Sequence, residues 1–236
     1  MKKVFMMLLI TILLCSCSLK IEQKYLSNNI SSQVFNIKPV LINTSYETVS
    51  ETSNKYGVKI TTNIEEQVEN YSNGDRIVVS SKIKSVIYNK KGYNGNTNML
   101  RQEANDNIKN NASVISDVVK YTNEYRAERH IKPLKNSNYL NLAATIRALE
   151  IAYSDKFSHQ RPNNKMWYTI YDDLKINYSV IGENLAKYQK TPETVCEEWK
   201  SSKTHYQNMI NKNYTKVGVG VVYLDGTYYW VQEFSN

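Results

Sequence analysis

Val217-Gly218-Val219-Gly220-Val221-Val222-Tyr223-Leu224-Asp225-Gly226-Thr227-Tyr228-Tyr229-Trp230-Val231-Gln232-Glu233-Phe234 is the stretch on which the fold turns. Val217, Val219, Val221 and Tyr223 recur at the two-residue period of a strand. Asp225-Gly226 is a favoured two-residue hairpin turn, and Tyr228 to Phe234 returns as the second strand. Upstream of this hairpin the period changes to that of helices. Ser113 is read as the cap of a helix running to about Arg129, with Ile115, Val118, Val119 and Thr122 on one face. A second helix, about Tyr139 to Tyr153, spaces Leu142, Ile146, Leu149 and Tyr153 for a core, and Ala143, Ala144 and Ala148 would admit a close neighbour. Met166 to Leu174 is a short amphipathic segment through Trp167, Ile170, Tyr171 and Leu174. Thr191-Pro192-Glu193 starts another helix, with a capping hydroxyl, proline in the first turn and an acid at the positive helix end. Val195, Trp199 and Tyr206 then point the same way. Helices between and around few strands make an α+β fold.

Toward the N-terminus the texture is different. Residues 34–92 are β-rich, through Val34-Phe35-Asn36-Ile37, Gly57-Val58-Lys59-Ile60 and the run Arg76 to Tyr88, and Asn73-Gly74 reads as a two-residue hairpin turn. A small antiparallel β unit follows, read as a spacer or docking module. Residues 93–112 carry Leu100, Ala104 and Ile108 at every fourth place, a narrow stripe that suits a linker helix lying on a surface. Residues 113–236 form the C-terminal domain. Residues 17–33, rich in Ser, Asn, Gln and Lys, bury too little to order themselves and read as a tether.

The first residues set the expected location. Lys2 and Lys3 precede an apolar run from Val4 to Leu14, shorter than the ~20 residues a membrane-spanning helix needs. Residues 1–16 are therefore read as a secretion signal. Leu14-Cys15-Ser16-Cys17 resembles a bacterial lipoprotein box, which would make Cys17 the site of lipid attachment and place the chain at the extracytoplasmic face of a membrane. Cleavage to a freely secreted protein is the rival outcome. Of the three cysteines, a lipidated Cys17 and loss of Cys15 leave Cys196 as the one thiol, so no disulfide framework is available and Cys196 reads as buried and structural. The net charge of +8 is spread along the chain without a concentrated basic stretch. This argues against a nucleic-acid partner and for a mildly cationic surface in an anionic envelope.

Three segments carry the chemistry: Phe157-Ser158-His159, Gly182-Glu183-Asn184, and Trp199-Lys200-Ser201-Ser202-Lys203-Thr204-His205. They put two of the three histidines and a carboxylate beside distinctive landmarks, and imidazole both ligates metals and trades protons near neutral pH. Together with Asn123-Glu124-Tyr125-Arg126, Lys132-Pro133-Leu134, Arg147 and Glu150 on the Ala-rich helix, and Tyr229 to Phe234, they come in the order found in the CAP superfamily. The chain resembles that group of cysteine-rich secretory proteins, antigen 5 and plant pathogenesis-related proteins, in its bacterial form, over about residues 116–236. The resemblance implies an α-β-α sandwich with His159, Glu183 and His205 lining one cleft. In some members the two matching histidines hold a divalent metal such as zinc. Two imidazoles make a thin site, so weak zinc affinity is expected.

His130 stands where family members commonly have glycine and reads as a left-handed helix end, outside the site. Where a second glutamate is common after the tryptophan this chain has Ser202; Glu198 lies four residues before it on the expected helix face. Three functions compete. A cleft that binds a ligand or envelope partner is the favoured reading. A metal-assisted hydrolase would use His159 and His205 to hold the ion and Glu183 to activate water. A serine hydrolase would use Ser202, His205 and Glu183, although no nucleophile-elbow sequence surrounds the serine. A purely structural arrangement makes Glu183 a buried acid and His159 its ion-pair partner. Trp199, Trp230 and Tyr228-Tyr229 read as core.

Overall fold

The computed structural model describes residues 39–56, 58–90, 93 and 96–236. The expected signal sequence, Cys17, the tether and Val34 to Ile37 lie outside the described residues. An antiparallel meander is made of β1 (Leu41–Lys55), β2 (Val58–Tyr71) and β3 (Arg76–Asn89); β2 and β3 contain the β-prone Val58–Ile60 and Arg76–Tyr88, whereas β1 is a polar strand that the sequence reading did not mark. Its second turn differs from the two-residue Asn73-Gly74 expectation. Tyr71 N–H donates to Asp75 O at 2.9 Å and Gly74 N–H to Tyr71 O at 3.0 Å, so the loop is Ser72-Asn73-Gly74. Gly74, at φ 87°, supplies the left-handed step that lets a three-residue loop match the twist of the strands. Ser72 is drawn off by Val40, which it meets through two hydrogen bonds.

The meander is rooted in the rest of the chain. Val58 is fully buried in a cluster with Leu100, Ala104, Tyr153 and the sheet residues Leu185 and Val231, and Tyr56, Ile60 and Tyr88 pack beside it. Lys55 Nζ pairs with Glu103 at 3.0 Å, and the Tyr56 and Tyr153 rings meet edge to face at 5.6 Å. Residues 39–236 accordingly form one unit.

Next come α1 (Thr97–Asn110) and α2 (Ala112–Ala127). Of the stripe, Leu100 and Ala104 are buried in the core cluster with α3, and Ile108 is partly buried. Ser113 is not the cap of α2: Asn111 holds that position without a side-chain bond, and the helix starts at Ala112. The reason is that α1 ends only one residue earlier, so α2 follows directly from an existing turn. α2 buries Ile115, Val118 and Thr122 as its period predicts, and His130, at φ 56°, takes the left-handed conformation expected of it.

The remaining elements are β4 (Lys135–Asn136), α3 (Asn138–Ser154), α4 (Thr169–Leu174), β5 (Ile181–Lys187), α5 (Pro192–Ser201), α6 (Lys203–Met209), β6 (Lys216–Leu224) and β7 (Thr227–Ser235). They build a sheet in the order β4-β6-β7-β5. The closing hairpin forms as read, Leu224 pairing with Thr227 across Asp225 at φ 52° and Gly226 at φ 77°. The two sides of the sheet carry separate cores. Leu185, Val222 and Val231 join α3 and α4 on one side, while Val217, Val219, Val221, Trp230 and Phe234 join α2 and α5 on the other. This is an α-β-α sandwich. α3 is buried almost all round because α1 and α4 cover the flank that the sheet does not. It lies close to the sheet since a Cβ on Gly218 would strike the backbone of Leu140 and one on Gly220 that of Ala144.

Candidate functional site

The site is assembled on the edge strand β5. In a strand buried on both sides alternate residues serve different layers, so Glu183 leaves the sheet toward α3 while Asn184 leaves it toward α6. On the α3 side Glu183 is 4% exposed. Its Oε2 accepts from Arg147 Nε at 2.9 Å, and its Oε1 meets His159 Nδ1 at 2.7 Å. Arg147 is fully buried and divides its guanidinium between Glu183, Glu150 Oε2 at 2.8 Å and Ser158 O at 3.0 Å. The last of these bonds holds the backbone next to His159.

Glu150 is shared in turn with Arg161, whose Nη2 reaches Glu150 Oε1 at 2.7 Å and Thr97 Oγ1 at 2.7 Å, while its Nη1 reaches Asp173 Oδ2 at 2.9 Å. Burial alone would raise the Asp173 carboxyl, but the Thr97 hydroxyl and Arg161 hold it below its ordinary value. These ions stay charged in the interior because each is paired and hydrogen-bonded. The chain of contacts ties α1, α3, α4 and the loop of His159 into one frame.

On the other side, Asn184 Nδ2 donates to His205 O at 3.1 Å and to Gln232 Oε1 at 3.1 Å, and Asn208 Nδ2 donates to Asn184 Oδ1 at 2.8 Å and to Glu183 O at 3.2 Å. Gln232 is anchored by donating to Thr122 Oγ1 at 2.9 Å. Buried Arg126 receives the end of α6, with Nη1 donating to Met209 O and Asn211 O, each at 2.9 Å. α6 and its His205 are therefore pinned at both ends. Burial first, and then the field of His159, hold the His205 ring below its ordinary value against the opposing pull of Glu198.

Ser202 is placed differently from its expectation. The helix begun at Thr191, with the expected capping contacts, ends at Ser201, and Ser202 is extended at φ −88°, ψ 120° before α6 begins. Glu198 and Ser202 thus share no continuous helix face. Ser202 Oγ meets Thr204 Oγ1 at 3.3 Å, and among the described residues no hydrogen bond joins it to His205. Glu198 is engaged by Gln189 Nε2 at the surface. Cys196 is fully buried and unbridged; burial pushes its thiol up to about 12. Trp199 and Trp230 are core, as read.

His159 is half exposed, its side chain at 51%, and His205 is partly exposed. Two cavities, of about 590 and 360 Å³, lie elsewhere, and neither is lined by His159, Glu183 or His205. The short contacts of ionisable groups, more than concavity, identify the site. Among the described residues no group of three or more His, Cys, Asp or Glu gathers around one point. The residues that could donate to a metal are His159 and His205, with Glu183 against the first. Sequence reasoning did not single out Arg161, Gln232 or Glu233. The available signal was Gln232-Glu233, two adjacent polar residues in an otherwise apolar strand, which must enter both layers.

Residues 119–234 match the family model described as the cysteine-rich secretory protein family, CAP. A relative from Bacillus subtilis (strain 168), the uncharacterized protein YkwD, is 35% identical over 117 residues, which cover 50% of this chain and 45% of that protein. The alignment therefore spans less than half of the relative's length. An extracellular protein containing an SCP domain from Bacillus anthracis strain Ames is similar with a TM-score of 0.48 and 15% identity, over 79% of this chain and 67% of that one. An outer surface protein of Borrelia burgdorferi is similar with a TM-score of 0.49 and 17% identity, over 55% of this chain and 94% of that one.

Proposed function

Residues 119–234 belong to the cysteine-rich secretory protein family, and from this we propose that the chain is an extracytoplasmic lipoprotein, anchored through Cys17, whose CAP domain binds a ligand or envelope partner at the His159–Glu183–His205 cleft. The observation that carries this reading is the 2.7 Å contact between His159 Nδ1 and Glu183 Oε1 on a half-exposed ring. A carboxylate at Nδ1 fixes the proton there and leaves Nε2 as the nitrogen with a lone pair, the usual support behind a metal-ligating histidine. His205, held below its ordinary value, is neutral near pH 7 and so fit to be the second ligand. Zinc would supply a Lewis-acid centre to which a carboxylate, phosphate or amide of the partner could coordinate. With two protein donors the site is weak.

Binding is favoured over hydrolysis by the state of Glu183. Activation of water needs a carboxylate oxygen facing the substrate, whereas Oε1 is committed to His159 and Oε2 to Arg147, and the Glu183 side chain is closed to solvent. Ser202, bonded to Thr204, lacks the base contact that a nucleophile needs.

Calorimetric titration of the metal-free protein with zinc tests the site. The wild-type protein is expected to bind, and His159→Ala and His205→Ala each to lose the heat; wild-type heat equal to buffer dilution rejects the metal site. Turnover of peptide or ester abolished by chelation and by Glu183→Gln would replace binding with metal-assisted hydrolysis. Blocking lipoprotein signal cleavage in a bacterial host should accumulate precursor, and normal maturation under the block would refute the anchor.

A further inference from the structure

Glu183 and Glu233 stand directly opposite each other in the β5–β7 register. Opposed residues point to the same face of a sheet with Cβ atoms about 5 Å apart, so both carboxyls enter the layer between the sheet and α3. Glu183 is 4% exposed and Glu233 fully buried. The cations of this layer are already assigned: Arg147 serves Glu183, Glu150 and Ser158 O, and Arg161 serves Glu150, Thr97, Thr169 and Asp173. Glu233 receives one hydrogen bond, from the Tyr171 hydroxyl to Oε2 at 3.1 Å, and its Oε1 is buried without a donor among the described residues. Tyr171 also lies 3.2 Å from Phe234 O, so its single proton is contested.

A buried carboxylate with one oxygen unanswered is costly, and two adjacent carboxylates in a dry layer do not both stay ionised. A proton on Glu233 removes both difficulties, turning the unanswered oxygen into a donor beside an acceptor. We propose that Glu233 is a positioning residue that carries a proton in the folded protein and donates it to Glu183, completing with Arg147 and His159 the set of donors that holds this carboxylate. The charged and titratable groups that face Glu233 are Glu183 on β5, Arg147 on α3 and Tyr171 on α4; its neighbour on β6 is Gly218. Burial and the adjacent Glu183 push the Glu233 carboxyl well above its ordinary range, against the pull of Arg147 and Tyr171. Glu233 thereby acts on the cleft through Glu183, without reaching its surface.

The test compares the full wild-type chain with Glu233→Gln, which keeps the shape and an N–H donor but cannot titrate. Folding equilibria are measured by denaturant from about pH 5 to pH 8. A protonated Glu233 means that the folded state holds a proton which the unfolded chain has released above its ordinary pKa of about 4.3. The wild-type folding constant must therefore fall relative to that of the variant by about tenfold per pH unit as pH rises, until Glu233 ionises in the folded protein. Parallel profiles would overturn the proposal. Infrared spectra of the wild-type protein give a second readout that survives any misfolding of the variant. A protonated-carboxyl stretch should be present at pH 7 when folded and vanish on unfolding, and its absence from the folded protein would equally overturn the proposal. Neither measurement uses metal or ligand, so both are independent of what the cleft binds.

Discussion

Replacement of Arg147 by Met puts the most weight on the buried ionic frame. The substitution removes three interactions, to Glu183 at 2.9 Å, to Glu150 at 2.8 Å and to Ser158 O at 3.0 Å. Glu150 keeps Arg161, which reaches both of its oxygens, and so stays compensated. Glu183 loses its one permanent cation and keeps His159, whose ring is half in solvent, and the proton of Glu233. The cost is then that of about one buried carboxylate stripped of its partner, about 3–5 kcal/mol, set against a total stability of about 5–15 kcal/mol. For a unit of this size each kcal/mol moves Tm by about 2–4 °C, so a fall of roughly 6–20 °C is expected. Thermal and denaturant unfolding, followed in parallel by circular dichroism and tryptophan fluorescence, measures it, since coincident transitions license the free-energy comparison. A loss below about 1 kcal/mol, the scale of an exposed pair such as Lys200–Glu128 with side chains 38% and 54% exposed, would refute the reasoning. Adding Glu183→Gln should recover part of the loss by removing the stranded charge. A double variant no more stable than Arg147→Met would show that Glu183 is not the group left uncompensated.

Three further outcomes follow from the geometry. Because burial and His159 hold His205 below its ordinary value of 6.5, the folded state binds less proton than the unfolded chain just below that pH; stability falls as pH drops through it, and unfolding profiles of His205→Gln should lack that slope. Cys196, fully buried with its thiol pushed up to about 12, should react with a thiol reagent about a thousandfold or more slower in the folded than in the unfolded protein, as the marginal population of open states allows; labelling at the rate of an exposed thiol would contradict its placement. Gly218→Ala drives a methyl into the backbone of Leu140 and should cost about 1–3 kcal/mol by overpacking, read from the denaturant midpoint at unchanged slope.

Much of this was legible along the chain because the signals are local. Alternation through Val217, Val219 and Val221 with Asp225-Gly226 fixes a hairpin whatever surrounds it, Thr191-Pro192 fixes a helix start, and the positive φ of His130 follows from its place at a helix end. Ser113 and Ser202 were misread for the same local reason: whether a serine caps, continues or breaks a helix depends on what the neighbouring elements allow. At Ser202 the chain leaves α5 to carry α6 back to the edge of β5, where Asn184 and Asn208 receive it.

What the order of residues determined by itself was the closing hairpin, the main helices and two strands of the meander, the grouping of His159, Glu183 and His205 as chemistry worth watching, and the resemblance of the C-terminal part to a known family. What only the tertiary structure decided was the state of those groups: that Glu183 has both oxygens engaged, that Arg147 and Arg161 are interior cations, and that Glu233 lies across from Glu183 on the same face. Periodicity is a property of neighbours in the chain, whereas the charge and direction of a carboxyl depend on burial and on partners up to dozens of residues away, which exist only once the sheet and α3 have closed on each other.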